Sequence, residues 1–208
     1  MLHCVTHYPL PVTASPHLSP WSAIHMRLLF ITLFSVLFAG TAPGVLAHPF
    51  ASPAFHAIAE RLDYMPDVAL HKALYAQPVE DLPREAVVLE NAAKTARAAG
   101  LEPESALPFY RAQIAAAKAI QYRHLADWLS QPDALKQSAL DLDLIIRPAL
   151  LKLDIEIAHR IAEHLRSAGP FSDTERPLFD TQLQTPHLTA RDRTQLFEAL
   201  KQIRLLQE

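Results

Sequence analysis

Two long stretches of the sequence repeat their apolar residues every three or four positions. The first stretch contains Leu107, Tyr110, Ile114, Ala117, Leu125 and Trp128, and the second contains Leu140, Leu144, Leu151, Ile155, Ala158, Ala162 and Leu165. Residues at this spacing lie on one face of an α-helix, and that face is buried only by packing against other helices. Because the alternation typical of strands is absent, we predict an all-α fold: a helical bundle of about six helices with two long central helices.

Proline and glycine mark the ends of the predicted helices. Gly100 and Gly169 are the only glycines after residue 47, and each follows a helical pattern, as C-terminal capping glycines do. The predicted helices cover Pro53–Met65, interrupted at Pro66 and resumed through Ala76; Pro83–Ala99; residues 101–129; Ala134–Ala168, with a possible kink at Pro148; and Thr189–Gln207, opened by Thr189 or Asp192.

The N-terminal segment is typical of a secretory leader. Met26 and Arg27 precede a short apolar run, and small residues follow it up to Ala47. We therefore assign residues 26–47 to a signal peptide, residues 1–25 to a leader or to sequence upstream of a true start at Met26, and residues 48–208 to one mature domain. The apolar run is too short for a comfortable membrane span, so membrane contact is expected only during export. The mature protein is expected in the periplasm or the medium.

Charge and cysteine usage narrow the classes of partner. Arg27 is the only charged residue before His48, so the net charge of −3 becomes −4 once the leader is removed. An acidic chain argues against nucleic acid as a partner, and an anion site would have to be local. The single cysteine, Cys4, is also lost with the leader, which excludes a disulfide framework.

Polar residues interrupt the apolar faces at three positions. Gln121 lies in the middle of the first stripe, Arg147 lies on the second, and Arg61 lies at the edge of an apolar face of the first helix. A buried amide needs hydrogen-bond partners, and a buried arginine must snorkel, pair with an acid or bind an anion. Each position alone is explained by a glutamine that is hydrogen-bonded in the core or by an arginine that snorkels to solvent. The three positions together are explained less well in this way, because each desolvated charge is costly unless it is matched.

The stretch "HKALYAQPVEDLPRE" adds charged residues around a predicted helix start. It carries Lys72, and then Asp81, Arg84 and Glu85 twelve or so positions later. Taken alone, Asp81 caps a helix and Glu85 favours its dipole. Together with the polar residues on the apolar faces, Lys72 and Arg84 instead suggest a mostly positive pocket. Such a pocket suits a small ligand with two carboxylates.

The sequence offers no nucleophile and no metal motif for this pocket. No Ser-His-Asp pattern is visible, and His159 and His164 are five residues apart, which places them on different sides of a helix. We predict no metal and no cofactor. Fixed cations and an amide can still catalyse a reaction that depends on orientation and electrostatics alone.

The stretches "AERLDYMPDVALHKALYAQPVEDLPRE" (residues 59–85) and "FYRAQIAAAKAIQYRHLADW" (residues 109–128) resemble the exported, all-helical chorismate mutases. The resemblance covers residues 55–154, and the tail matches loosely. It implies that residues 48–208 form a single chorismate mutase domain. It also implies conversion of chorismate to prephenate without a cofactor, a step in phenylalanine and tyrosine biosynthesis. A homodimer is possible.

The resemblance also implies roles for individual residues. Arg61, Lys72 and Arg84 are expected around the two substrate carboxylates, with Lys72 also reaching the ether oxygen. Gln121 is expected to donate a hydrogen bond to the same oxygen. The catalytic set is thus Lys72, Gln121 and Arg84, and the substrate-binding set is Arg61, Lys72, Arg84, Asp81, Glu85, Ala117, Gln121 and Arg147.

The remaining members of that set complete the expected site. Asp81 and Glu85 match acidic positions near the substrate hydroxyl. Arg147 is similar to an arginine that comes from a later helix of the same chain, which implies an active site within one subunit. Ala117 departs from the family, whose members often have Ser or Thr there to contact a carboxylate.

Two alternatives remain open from the sequence. An exported, non-enzymatic helical module would pair Arg61, Arg147 and Lys72 with internal acids such as Asp143, Asp154 or Glu60. A carboxylate-binding protein without catalysis would share the pocket but would need no donor at the ether position.

Overall fold

The computed structural model describes residues 51–207, and the leader, the signal peptide and the mature start at His48 lie outside the described residues. The described part is α-helical. Its helices are α1 (Ala51–Asp63), α2 (Met65–Leu74), α3 (Leu82–Ala99), α4 (Pro103–Ser130), α5 (Arg147–Ser167), α6 (Arg176–Gln182) and α7 (Ala190–Leu200). Since a single residue separates α1 from α2, the prediction of about six helices around two long ones, α4 and α5, is confirmed.

Helices α1 to α3 begin and end close to the residues that the sequence predicts. Pro66 lies in the first turn of α2, where its missing N–H is not needed. Asp81 caps α3, its side chain accepting a hydrogen bond from the backbone N–H of Arg84 at 3.1 Å. At the other end Gly100 adopts a left-handed φ of 83°, as a C-terminal capping glycine does. The local capping interpretation of Asp81 is therefore correct, whatever else this residue does.

Helix α4 is the long helix that the first apolar stripe predicts. It has 28 residues, and Tyr110, Ala117 and Gln121 are all buried on one face. This face packs toward α2 and α3 on one side and α7 on the other. Pro103 opens the helix in its first turn, and the helix continues through Pro108 to Ser130, so the three-and-four spacing holds along it.

The prediction of one helix over Ala134–Ala168 is wrong. A 3₁₀ turn covers Pro132–Lys136, a π-helical turn covers Leu142–Ile146, and the α-helix begins only at Arg147. Pro148 lies in the first turn of α5 and does not kink the helix. In the first turn the backbone N–H has no intrahelical acceptor, so the N–H that proline lacks is not needed there.

This different start changes which residues of the second stripe are buried. Leu140, Leu144, Leu151 and Ile155 are all at least 41% exposed, whereas Ala158, Ala162 and Leu165 are buried as predicted. The inward face of α5 instead carries Leu153, Ile157 and Ile161. Leu140 and Leu144 lie ahead of α5, where the irregular turns break the helical spacing, so a count across those turns does not give their exposure. The turns do not account for Leu151 and Ile155, which lie within α5 itself.

The C-terminal segment completes the core. Phe55 of α1 contacts the rings of Phe171, Phe179 and Phe197 at centroid distances of 5.7, 5.1 and 6.4 Å. Helix α7 opens at Thr189, one of the two predicted starts, which forms a capping box with Asp192, but the helix ends at Leu200. The chain then returns to Leu101, which forms a single antiparallel bridge with Leu205. One hydrophobic core thus runs through the described residues.

Within residues 51–207, none of the helices combines the length and the apolar character needed to cross a membrane.

Candidate active site

A pocket of about 140 Å³ lies between helices α1 to α5. A cavity of roughly this size is large enough for a six-membered ring. Its wall includes all eight residues that the sequence predicted for the site: Arg61, Lys72, Asp81, Arg84, Glu85, Ala117, Gln121 and Arg147. These residues come from five helices of one chain, so the described part encloses the pocket without a second copy.

The charges around the pocket are unequal. The lining contains five basic side chains, Arg61, Lys72, Arg84, Lys118 and Arg147, and three acidic ones, Asp81, Glu85 and Asp154. Formal charges therefore sum to +2 in a chain whose overall charge is negative. A local excess of this size matches a small dianion, and low-dielectric walls strengthen the attraction.

Arg61 is held by a carboxylate of α5. Its Nε donates a hydrogen bond to Oδ1 of Asp154 at 2.6 Å, and the two side chains are 7% and 13% exposed. The Nη1 of Arg61 is buried without a hydrogen-bond partner. An unpartnered buried donor is costly, so this N–H group is available to an anion that enters the pocket.

Lys72 is half-buried and lacks a carboxylate partner within ion-pair distance among the described residues. Its Nζ donates a hydrogen bond to the carbonyl oxygen of Val79 at 2.8 Å. Burial lowers the pKa of Lys72 from its ordinary value, and the neighbouring Arg147 lowers it further, while Asp81 and Glu85 oppose the shift. The ammonium group retains two N–H donors that are not bonded to Val79.

The N-terminal turn of α3 brings three charged residues to the pocket. Asp81 caps the helix, Arg84 follows three residues later, and Glu85 reaches across to α4. There the Nζ of Lys118 lies 3.1 Å from Oε1 of Glu85 and 3.2 Å from its Oε2. This ion pair connects α3 to α4 at the pocket wall.

Gln121 is buried, with 4% of its surface exposed. Its Nε2 donates to the carbonyl oxygen of Ala117, one turn earlier, at 3.1 Å, and contacts Sδ of Met65 at 3.6 Å. Its Oε1 has no hydrogen-bond partner. Sulfur is a weak acceptor, so the second N–H of the amide can be redirected to a better oxygen acceptor at little cost.

Arg147 lies at the start of α5 and pairs with Asp143, one turn earlier. The side chain of Asp143 is 72% exposed, so the pair is largely solvated and contributes little to stability. This pair and Arg61–Asp154 are two that the non-enzymatic alternative predicted. Lys72, however, pairs with no acid between residues 51 and 207, and all three cations border a cavity rather than a filled core.

Sequence reasoning missed two charged members of the site. Lys118 precedes Gln121 by three residues on α4 and so lies close to the same face. That spacing was the available signal. Asp154 was named only as a possible ion-pair acid, and its position became evident once Arg147 proved to be the first residue of α5, two turns earlier.

Between residues 51 and 207, no three His, Cys, Asp or Glu side chains are grouped so as to hold a metal ion.

Comparison with known proteins identifies related chains over most of the length. A family model described as chorismate mutase type II matches residues 54–122. A monofunctional chorismate mutase from Enterobacter agglomerans is 40% identical over 182 residues, covering 86% of this chain and 96% of the relative. A secreted chorismate mutase from Yersinia pestis is 39% identical over 149 residues, covering 71% of this chain and 78% of that protein. The crystal structure of the Yersinia pestis secreted chorismate mutase superimposes with a TM-score of 0.68 at 38% identity, over 73% of this chain and 97% of the other.

Proposed function

The chain belongs to the chorismate mutase family, and we propose that its pocket binds chorismate and rearranges it to prephenate. The observation that carries the proposal is the lining of one cavity by all eight predicted residues with a net charge of +2. Chorismate carries two carboxylates on a flexible framework, so its charge is equal and opposite to that of the pocket. The all-helical fold is the one that the family has.

The reaction needs conformational control more than chemical groups. One C–O bond breaks and one C–C bond forms within the same molecule, so no group is transferred and no proton is exchanged. The substrate must first fold so that the two reacting carbons meet. Cations that bind both carboxylates select that conformer. For reactants held in a well-oriented geometry, the entropic contribution to the barrier that is removed in this way can reach about 7 kcal/mol.

Three arginines are proposed to grip the carboxylates. The buried Nη1 of Arg61 already lacks a partner, and Asp154 fixes its guanidinium through Nε. Arg147 would exchange the solvated Asp143 for a substrate carboxylate, since an exposed pair of this kind is worth less than about 1 kcal/mol. Arg84 lines the wall at the start of α3. A guanidinium binds a carboxylate through two parallel hydrogen bonds, which fixes orientation as well as position.

Lys72 and Gln121 are proposed to stabilise the transition state. As the C–O bond lengthens, negative charge grows on the ether oxygen. The donors that would face this oxygen are the two N–H groups of Lys72 that are not bonded to Val79, and the N–H of Gln121 that at present contacts the sulfur of Met65. Donors positioned before the reaction stabilise this developing charge more than they stabilise the ground state, which raises kcat.

Asp81 and Glu85 are proposed to bind the ring hydroxyl of chorismate. Oδ1 of Asp81 accepts a hydrogen bond from the backbone N–H of Arg84, and Oε1 of Glu85 accepts no hydrogen bond. A carboxylate can accept a hydrogen bond from the hydroxyl and thereby orient the ring. Ala117 supplies no hydroxyl of its own, so a carboxylate near it would be held by the arginines alone.

Localisation follows from the leader and from the relatives. A relative of this chain is named a secreted chorismate mutase, which points to export. We further propose that residues 26–47 are removed and that the mature protein begins at His48 in the periplasm or medium. An intact mass of the exported protein that still includes Arg27 would contradict this processing site.

Turnover is tested by mixing protein that begins at His48 with chorismate and following the loss of its ultraviolet absorbance. We expect conversion to prephenate in the presence of a chelator, because the proposed groups are all organic side chains. A protein that binds chorismate without converting it would be a carboxylate-binding protein instead. A protein that neither binds nor converts it would favour the interaction module.

A further inference from the structure

The ion pair between Lys118 and Glu85 has a position that the proposed roles do not use. Lys118 lies on α4 between Ala117 and Gln121, and its Nζ is about equally close to both oxygens of Glu85, at 3.1 and 3.2 Å. Both side chains are mostly buried, at 23% and 22% exposure. Glu80 is a weaker neighbour, 3.7 Å from the same nitrogen and 53% exposed.

The pair acts on the electrostatics of the pocket as well as on its shape. The hydrogen bond to Glu85 raises the pKa of Lys118 above its ordinary value. At Lys72 the two partners have opposite effects, since Glu85 raises the pKa of that lysine and Lys118 lowers it. Lys118 therefore offsets a carboxylate that would otherwise lower the positive charge of the pocket.

This charge balance matters because Glu85 would face a dianion. An unpaired carboxylate in the wall would repel the substrate, whereas a neutralised one can still accept a hydrogen bond. Oε1 of Glu85 is buried and accepts no hydrogen bond, although Nζ of Lys118 lies 3.1 Å away. The lysine thus fixes the carboxylate and leaves one oxygen free for a hydroxyl group.

From this geometry we infer that Lys118 is a positioning residue, which holds Glu85 against the pocket wall and neutralises it so that Glu85 can bind the ring hydroxyl of the substrate. The inference rests on the proposed function. It assigns Lys118 no contact with the substrate, since its ammonium group is occupied by Glu85 and Glu80.

The test is a set of steady-state measurements with chorismate on the protein that begins at His48. In Lys118→Met, which keeps the aliphatic stem, we expect KM to rise about tenfold while kcat changes by less than about threefold, because repulsion acts on bound ground state and transition state alike. Lys118→Arg should keep KM near the wild-type value, since arginine also pairs with a carboxylate. A purely structural clamp would instead lower the melting temperature and leave KM unchanged.

A double mutant separates positioning from direct contact. If Lys118 acts only through Glu85, Lys118→Met combined with Glu85→Gln should have the KM of Glu85→Gln alone. If Lys118 touches the substrate, the two losses should multiply, and the inference is overturned. Lys94→Met is the matched control, because Lys94 and Glu90 form an exposed pair on α3 that does not line the pocket. It should leave KM and kcat unchanged.

The outcomes distinguish this inference from the proposed function. If the wild type converts chorismate and Lys118→Met behaves identically, only the present inference is wrong. If the wild type neither binds nor converts chorismate, as judged by calorimetry and absorbance, both fail. Should Lys118→Met fail to fold, Lys118→Gln takes its place with the same expected rise in KM. Loss of folding in both variants would make Lys118 a structural clamp and overturn the inference.

Discussion

Gln121 and Ala117 are one turn apart on α4, and the amide nitrogen of Gln121 donates to the carbonyl oxygen of Ala117 at 3.1 Å. This contact holds the amide across the pocket wall, with its second N–H on the weak acceptor Met65. The side chain is thereby oriented before any substrate arrives, and its donor remains a donor at every pH because an amide does not titrate.

The first prediction concerns Gln121 and pH. We expect kcat/KM of the wild type to stay nearly constant from mildly acidic to mildly basic pH. It should then fall as Lys72 loses its proton. Since burial lowers the pKa of Lys72, this fall should begin at a lower pH than the ordinary value of 10.5 would give.

Two variants at the same position provide the comparison. Gln121→Glu should be active only at low pH, because a glutamate donates a hydrogen bond only when protonated and otherwise repels the growing charge. Gln121→Ala should be poor at every pH. A steep fall in the kcat/KM of the wild type between about pH 5 and 7 would show that Gln121 does not face the ether oxygen. A Gln121→Glu variant whose activity is not shifted to acidic pH would show the same.

The second prediction concerns Arg147. Arg147→Ala should lower kcat/KM by an amount that corresponds to a loss of about 3 kcal/mol or more in transition-state stabilisation. The fold should survive, because Asp143, the present partner of Arg147, is exposed. Arg147→Lys should lose much of the same activity although the charge is kept, since lysine cannot form two parallel hydrogen bonds. Circular dichroism and steady-state kinetics check both variants. Unfolding of both would make Arg147 a structural ion-pair partner.

The third prediction compares the two acids that pair with pocket arginines. Asp154→Ala should lower the free energy of unfolding by about 3 kcal/mol, because it leaves the buried Arg61 without compensation. Asp143→Ala should change it by less than about 0.5 kcal/mol, because that pair is solvated. Urea unfolding measures both. Equal losses would show that burial does not distinguish the two pairs.

The fourth prediction concerns the two glycines with left-handed backbone. Gly100 and Gly169 have φ values of 83° and 85°. Alanine at either position should cost about 1 kcal/mol of stability through backbone strain. Gly100→Ala should cost more, because the new Cβ would lie 2.6 Å from Nη2 of Arg166, which caps α3 through the carbonyl oxygen of Ala99. Thermal melts of both variants test the order.

The sequence predicted which residues line the pocket better than it predicted the second long helix. Ala117 and Gln121 could be assigned to one buried face because α4 is an uninterrupted helix, in which spacing and burial agree. Arg147 lines the pocket as predicted, but the sequence placed it in the middle of one long helix. Its helix begins at that residue, after a π-helical turn that no simple periodicity describes.

Pairings across the fold were less accessible from the sequence. Arg61 and Asp154 are 93 positions apart, and the sequence named Asp154 only as one of several acids that could pair with the arginine. Lys118 was missed because it lies at the edge of the apolar face of α4, where a lysine is usually solvated. Such contacts depend on how helices are placed against one another, and a pattern along one helix does not contain that information.

The aromatic contacts of Phe55 bear on the order of events during biosynthesis. Phe55 belongs to α1, yet its neighbours Phe171, Phe179 and Phe197 come from the C-terminal part of the chain. A nascent chain emerges N-terminus first, so these contacts of Phe55 form only when synthesis is almost complete. On the proposed export route, the leader emerges well before this aromatic part of the core can close, so the chain can be recognised for threading across a membrane while that part is still open.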